Sequence, residues 1–230
     1  MNLAKMYWHR INNKESKMIN RYLSFPFKAI FLVTFLMGTS LGVLPSAGQG
    51  DQTTRVIEEL SIGNKDSKVT FVEYASFTCP HCASFHRNIY PQLKENYIDT
   101  DLIKFEIREV IWDKPGWVAA IIGRCSGLEK FYHFVDPLFA KQADWSRAQT
   151  LGEAASRLTS IALSVGFNKE EIDNCLRDTD FHTLILENAQ NGAAENNISS
   201  TPTFQINGKN YSNTGYEDLV EIIESALNRT

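Results

Sequence analysis

The chain lacks the marks of several large protein classes. Its 230 residues hold only four cysteines and seven prolines, with no internal repeat and no low-complexity tract. A repeat array, a collagen-like chain and a disulfide-dense scaffold are therefore excluded. Positive charge is scarce beyond the first residues. Lys5, Arg10, Lys14, Lys17, Arg21 and Lys28 against Glu15 alone put +5 on the leader, which leaves −9 on the rest of a chain whose total is −4. An acidic body has no basic surface with which to release counterions from a phosphate backbone, so nucleic acid is not an expected partner. No apolar run reaches the roughly 20 residues of a spanning helix. With 43% hydrophobic and 22% charged residues, the chain has the composition of a globular protein with a full core.

The apolar stretch Ala29 to Val43 follows the basic segment and precedes the small residues Ser46, Ala47 and Gly48, which is the order of a secretory signal. Residues 1–48 are read as a signal peptide or, if Phe25 and Phe27 extend the apolar run, as an N-terminal membrane anchor. The cut position stays open, because Pro45 stands third before a cut after Ala47 and Ser46 before a cut after Gly48. Either reading places the body in a periplasmic or other extracytoplasmic compartment. There an even number of cysteines, Cys79, Cys82, Cys125 and Cys175, favours disulfide chemistry over metal binding. Structural zinc needs four ligands, and no second closely spaced cysteine pair exists. Haem attachment needs a histidine directly after the second cysteine, where Ala83 stands. No metal and no cofactor is expected.

Residues 69–76, Val-Thr-Phe-Val-Glu-Tyr-Ala-Ser, read as a strand buried on both faces. Thr78 as cap and Pro80 in the first turn predict a helix from the Cys-x-x-Cys to about Glu95. A second strand is expected over 102–112, which makes the pair a parallel crossover. From Lys114 to Asn197 the period is helical, with breaks near Asp136-Pro137, Gly166-Phe167 and Asp178 to Asp180. A hairpin turning on Asn207-Gly208 follows, then a helix over 216–227 with Leu219, Ile222, Ile223 and Ala226 on one face. The expected organisation is an α/β core of residues 49–113 and 198–230, interrupted by a helical domain of residues 114–197.

A Cys-x-x-Cys at a helix start places two sulfurs within bonding reach, the first facing solvent and the second turned inward. Orphan N–H groups and the helix dipole lower the first thiol from about 8.5 into the range of roughly 3.5 to 7.5. Cys79 is thus the expected nucleophile and Cys82 the resolving thiol. Stabilising the reduced thiolate makes the disulfide a stronger oxidant, and His81, inside the Cys79-Pro80-His81-Cys82 loop, can add a donor or partial positive charge. Glu73 needs a reason to lie in an apolar strand, since an unpaired buried carboxylate costs several kcal/mol. It either sits beneath the cysteines as proton acceptor and donor for Cys82, or occupies an edge or exposed position. Thr201-Pro202-Thr203 opens the hairpin with a proline whose peptide bond spacing alone does not assign. Cys125 and Cys175 enclose about fifty residues, and a bond between them would stabilise the insertion by about 2 to 4 kcal/mol. His86 is read as a surface or partly buried helix residue, His133 as core or groove lining, the aromatic run Phe131 to Phe139 as packing within the insertion with part of it able to face a groove, and Trp112 and Trp117 as packing residues.

The run Val72-Glu73-Tyr74-Ala75-Ser76-Phe77-Thr78-Cys79-Pro80-His81-Cys82, the long helical insertion, and Thr201-Pro202-Thr203-Phe204 ahead of Asn207-Gly208 together resemble the DsbA family of bacterial disulfide oxidoreductases, over about Leu60 to Leu227. The resemblance implies a thioredoxin-like fold with an inserted α-helical domain. It also implies Glu73 as the buried acid, a cis Pro202 packed against the disulfide, and a Thr201 backbone that hydrogen-bonds an extended substrate. Its members introduce disulfides into newly exported, unfolded proteins and are reoxidised by a quinone-linked membrane partner. Thr before the proline is also frequent in isomerase relatives, so an isomerase or reductase is the alternative enzyme of the same fold, and an exported thioredoxin-like holdase that binds peptides near Pro202 without redox turnover is the alternative of a different functional class. About a dozen residues separate Gly48 from Ser61, too few for an added dimerisation domain, and a monomer is expected.

Overall fold

A computed structural model of the chain describes residues 56–125, 127–212 and 214–228. The leader, with its signal or anchor reading, lies outside the described residues. Among those described, no helix is long and apolar enough to cross a membrane.

Five strands form one sheet in the order β1-β3-β2-β4-β5. They are β1 (Ser61–Gly63), β2 (Thr70–Ala75), β3 (Lys104–Glu109), β4 (Thr203–Ile206) and β5 (Lys209–Ser212). β2 and β3 run parallel, Phe71 beside Phe105 and Glu73 beside Ile107, while β4 pairs antiparallel with the other side of β2 and sets Glu73 beside Phe204. The short edge strand β1 had no signal in the sequence. It ends at Gly63, φ +78°, where any Cβ would sit 2.4 Å from the carbonyl oxygen of Ile103. The β4–β5 hairpin turns on Asn207 and Gly208, both at positive φ, as the two-residue reading requires.

The helices between β2 and β3 are α1 (Pro80–Asn88) and α2 (Tyr90–Leu93), continued by a π-helical turn over Lys94–Ile98. The single helix expected to run to Glu95 is broken at Ile89. Pro91 has no N–H to return to the preceding turn, and the amides of Gln92 and Leu93 both converge on the Ile89 carbonyl. Its cap differs too: the N-cap residue is Cys79 itself, because the Thr78 hydroxyl is engaged by the carboxylate of Asp113.

Between β3 and β4 come α3 (Lys114–Arg124), α4 (Gly127–Ala140), α5 (Gln142–Ser146), α6 (Leu151–Ser164), α7 (Lys169–Cys175) and α8 (Thr179–Glu195); α9 (Tyr216–Asn228) closes the chain. Asp113, Thr150, Asn168 and Asp178 cap their helices with side-chain oxygens. The break expected at Asp136-Pro137 does not occur, for α4 runs through Pro137. The proline costs about 3 kcal/mol in a helix interior, and it is offset by Phe134, Val135, Leu138 and Phe139, which are fully buried on either side of it.

The main core lies on the sheet face that carries Phe71, Ala75, Phe105, Ile107 and Phe204. The aromatic run of α4 belongs to it as well. Phe139 packs edge-on against Phe77 at 5.7 Å, so these rings join the helices to the sheet instead of packing the insertion alone. Two aromatic readings are corrected. Trp112 is 58% exposed, because the chain leaves the sheet after Val110 to reach the cap at Asp113. His133 is exposed on the outer face of α4. Trp117 does pack, donating its indole N–H to the His182 carbonyl at 3.2 Å. Cys125 at the end of α3 and Cys175 at the end of α7 are joined by a disulfide.

β3 carries a buried ion pair. Arg124 meets Glu109 through two bonds of 2.6 Å and reaches the Glu58 carbonyl at 2.9 Å. Removing one partner of such a pair leaves an uncompensated buried charge. Arg124→Met is therefore expected to lower unfolding stability by about 3–5 kcal/mol, read from the denaturant midpoint at unchanged slope.

Candidate active site

β2 ends at Ala75, and the four residues that follow carry the chain to the start of α1. Pro80 occupies the first helical turn, exposed, where its missing N–H is one of the orphan donors in any case. This delivers Cys79 half-buried at the helix N-terminus and turns Cys82 into the core at 0% exposure. Both are free thiols.

The two sulfurs differ in their chemistry. Cys79 is held down to about 5, chiefly because the Cys82 thiol donates to it; partial burial opposes this, while Thr201 and the backbone N–H groups of Cys82 and His81 assist. In its protonated form the Cys79 thiol donates to the Thr201 carbonyl at 3.3 Å. The Thr201 hydroxyl, whose Oγ1 is buried without a hydrogen-bond partner among the described residues, is available as a donor to the ionised form. Cys82 moves far upward, first by desolvation, then by its bond to Cys79 and the charge of Glu73. One sulfur is thus an anion near neutral pH and its neighbour a thiol.

Glu73 is fully buried on the central strand, which removes the edge or exposed alternative. Its carboxylate is 2.8 Å from Nε2 of His86. His86 is buried, not superficial, and stacks on Phe139 at 4.3 Å. His81 is exposed, and what it supplies to Cys79 is its backbone amide. The Thr201-Pro202 bond is cis, and Pro202 is buried.

Two partners carried no recognisable local signal. Gln142, at the start of α5, donates to the carbonyls of Phe77 and Cys79, both at 2.8 Å, clamping the active-site turn from more than sixty residues away. Asp113 accepts from the amide of Gly116 at 2.7 Å as the α3 cap and binds Thr78 with its other oxygen. For His86 a signal did exist. It follows Cys82 by four residues, on the inward face of α1 with Phe85, and β2 supplies a carboxylate in need of a partner.

The thioredoxin family profile matches residues 55–225, and the chain belongs to that family. Within it the likeness is to DsbA-type proteins. A putative protein-disulfide oxidoreductase of Rickettsia bellii is 35% identical over 170 residues, covering 74% of this chain and 64% of that protein. The chain thus spans less than two thirds of that relative's length. The crystal structure of alpha-DsbA1 from Wolbachia pipientis superposes with a TM-score of 0.68 at 24% identity, covering 76% of this chain and 94% of that one. That of oxidised BdbD from Bacillus subtilis gives 0.64 at 26% identity, with 74% and 93% covered. The fold is accordingly thioredoxin-like, with the helices α3 to α8 inserted between β3 and β4.

Titrating the reduced protein by its thiolate absorbance is expected to show one inflection at about 5 for Cys79, and Thr201→Val, which removes a donor, is expected to move it upward. Because this pKa lies below that of the unfolded chain, the stabilisation is fully present above the ordinary thiol range and is lost as pH falls toward about 5. The stability advantage of the reduced protein over Cys79→Ser should therefore shrink across that window. An advantage constant between the two limits would contradict the assigned geometry.

Proposed function

We propose that the chain is an exported protein-disulfide oxidoreductase of DsbA type, working as a dithiol oxidase on unfolded exported proteins. The observation that carries this reading is the disparity between the sulfurs: Cys79 held down to about 5 and Cys82 driven upward. Thiolate stabilisation belongs to the reduced protein alone. It draws electrons into the pair and makes the Cys79–Cys82 disulfide oxidising.

A substrate thiolate attacks Sγ of Cys79, and the bond to Cys82 breaks with its electron pair going to Cys82, which takes up a proton. A second substrate thiolate then attacks the substrate sulfur of the mixed disulfide, and Cys79 leaves as a thiolate. Two electrons pass from substrate to enzyme. Of the two protons shed by the substrate thiols, one is balanced on Cys82 and one goes to solvent. Glu73 is the buried acceptor and donor of the Cys82 proton, a role supported by its electrostatic effect on that thiol. Thr201 and Pro202 receive the extended substrate backbone beside Cys79, in keeping with the 3.3 Å approach of the Thr201 carbonyl. Pro80 and His81 shape the loop and present the His81 amide.

Reoxidation falls to a quinone-linked membrane partner, the protein acts as a monomer, and the leader carries it to a periplasmic or extracytoplasmic site. The division into a core of residues 49–113 and 198–230 and an inserted helical domain of residues 114–197 is part of the same proposal. So is a purely structural role for the Cys125–Cys175 bond.

Oxidation of a reduced dithiol peptide by the oxidised protein tests the central claim. Cys79→Ser and Cys82→Ser, neither of which can form the enzyme disulfide, are expected to reduce the rate to background, and Cys82→Ser, given a peptide that already carries a disulfide, to hold it as a mixed disulfide through Cys79 with release of one peptide thiol. Undiminished turnover by Cys79→Ser would refute the reading. A potential near that of reducing thioredoxins, about −270 mV, together with repair of a scrambled substrate would assign the isomerase or reductase alternative.

A further inference from the structure

Glu73 and His86 form a pair whose side chains are 0% and 2% exposed, yet each keeps one polar atom without a partner among the described residues, Oε1 of Glu73 and Nδ1 of His86. Buried polar atoms are normally satisfied. An orphan at both ends of one hydrogen-bonded pair is an open chain, not a closed contact. At its inner end, Glu73 acts electrostatically on Cys82. At its outer end, the imidazole is held by rings on several sides, stacked on Phe139, tilted against Tyr90 at 4.7 Å and edge-on to Phe85 at 5.4 Å. His86 borders a recess of about 270 Å³ together with Tyr90, Lys94, Asp136 and Phe139, its ring almost wholly covered. At about 30 Å³ per molecule, that volume has room for several waters. None of Cys79, Thr201 and Pro202 borders it.

We propose that His86 relays protons between Glu73 and this recess, so that Cys82 exchanges its proton through a route separate from the face where substrate sulfur arrives. The inference rests on the oxidoreductase reading and deepens it. When the enzyme disulfide is reduced, the Cys82 thiolate takes a proton from Glu73. Glu73 recovers one from Nε2 of His86, and Nδ1 takes one from water in the recess. On reoxidation each transfer reverses, Cys82 attacking the mixed disulfide on Cys79 as its proton moves outward. The proton passes inward once and outward once per cycle, and the ring ends in the tautomer in which it began. His86 acts through Glu73 and is a positioning residue, not a catalytic one. The charged groups facing it are Glu73 on β2, Arg87 on its own helix, Lys94 on the π turn and Asp136 on α4. The Asp136 carboxyl, raised by burial and drawn down by His86, Lys94 and His133, stands at the mouth of the route.

The test is the rate at which the full-length oxidised protein is reduced by excess dithiol peptide. Gln at position 86 keeps a polar group beside Glu73 but has no second ring nitrogen. His86→Gln is expected to slow this step about 10- to 100-fold, toward the lower end of what general acid–base groups contribute, with the Cys79 titration unmoved. In His86→Ala, imidazole is expected to restore the rate, while 1-methylimidazole, which fills the same space but cannot pass a proton from one nitrogen to the other, is not. A His86→Gln rate within twofold of the unsubstituted protein overturns the relay, as does equal rescue by both imidazoles or rescue by neither. Should the variants not fold, the unsubstituted protein still decides the matter in mixed light and heavy water: a curved dependence supports several protons in motion, and a straight line overturns the relay. An unsubstituted protein that oxidises no dithiol sinks the parent reading; a fast His86→Gln in an otherwise active protein sinks only the relay.

Discussion

A sulfur at a helix N-terminus is easier to ionise than one in water, because backbone donors already point at it and need no reorganisation when charge arrives. In this chain three segments far apart in sequence hold that sulfur in place. β2 carries the turn to the edge of the core, Pro80 starts α1, the Thr201 loop approaches Sγ from the other side, and Gln142 fixes the carbonyls behind it. The sheet order serves the same end. β2 is flanked by β3 and β4, so its C-terminal end and the loop entering β4 come together at one place, where the cysteines and the cis-proline meet.

The asymmetry between the sulfurs follows from three residues of helix. Cys79, at the cap, keeps solvent on one side. Cys82, nearly one turn further on, faces the apolar interior and feels the charge of Glu73. Burial raises the second thiol and hydrogen bonding lowers the first, and the Cys82 thiol contributes to both effects by donating to its neighbour. A helix that began one residue earlier or later would lose the distinction, since the positions facing inward would change with it.

Features with local causes were legible in the sequence. The Cys-x-x-Cys ahead of a helix, the Asn207-Gly208 hairpin, the β2 run apolar on both faces and the amphipathic last helix each depend on neighbouring residues, and each formed close to where the pattern put it. Features decided by distant partners were not. Thr78 reads as a cap until Asp113, thirty-five residues on, takes its hydroxyl. Trp112 reads as the end of a buried run until the chain turns out of the sheet. Pro137 reads as a helix break until its neighbours prove to be core residues. His86 and Glu73 were two local anomalies, a polar residue on the inward face of a helix and a carboxylate in an apolar strand. Each accounts for the other, a relation that neither segment shows alone.

The Gln142 contact has a mechanical consequence. One side-chain amide, borne on a five-residue helix, grips the main chain on both sides of Thr78 and is one of the points at which the inserted helices touch the reactive turn. A tilt of that short helix would pull on the Cys79 carbonyl and shift the angle at which its sulfur meets the donors around it. Whatever settles against the cap can thereby retune a thiolate it never reaches, as a finger on the neck of a violin changes the pitch of a string bowed elsewhere.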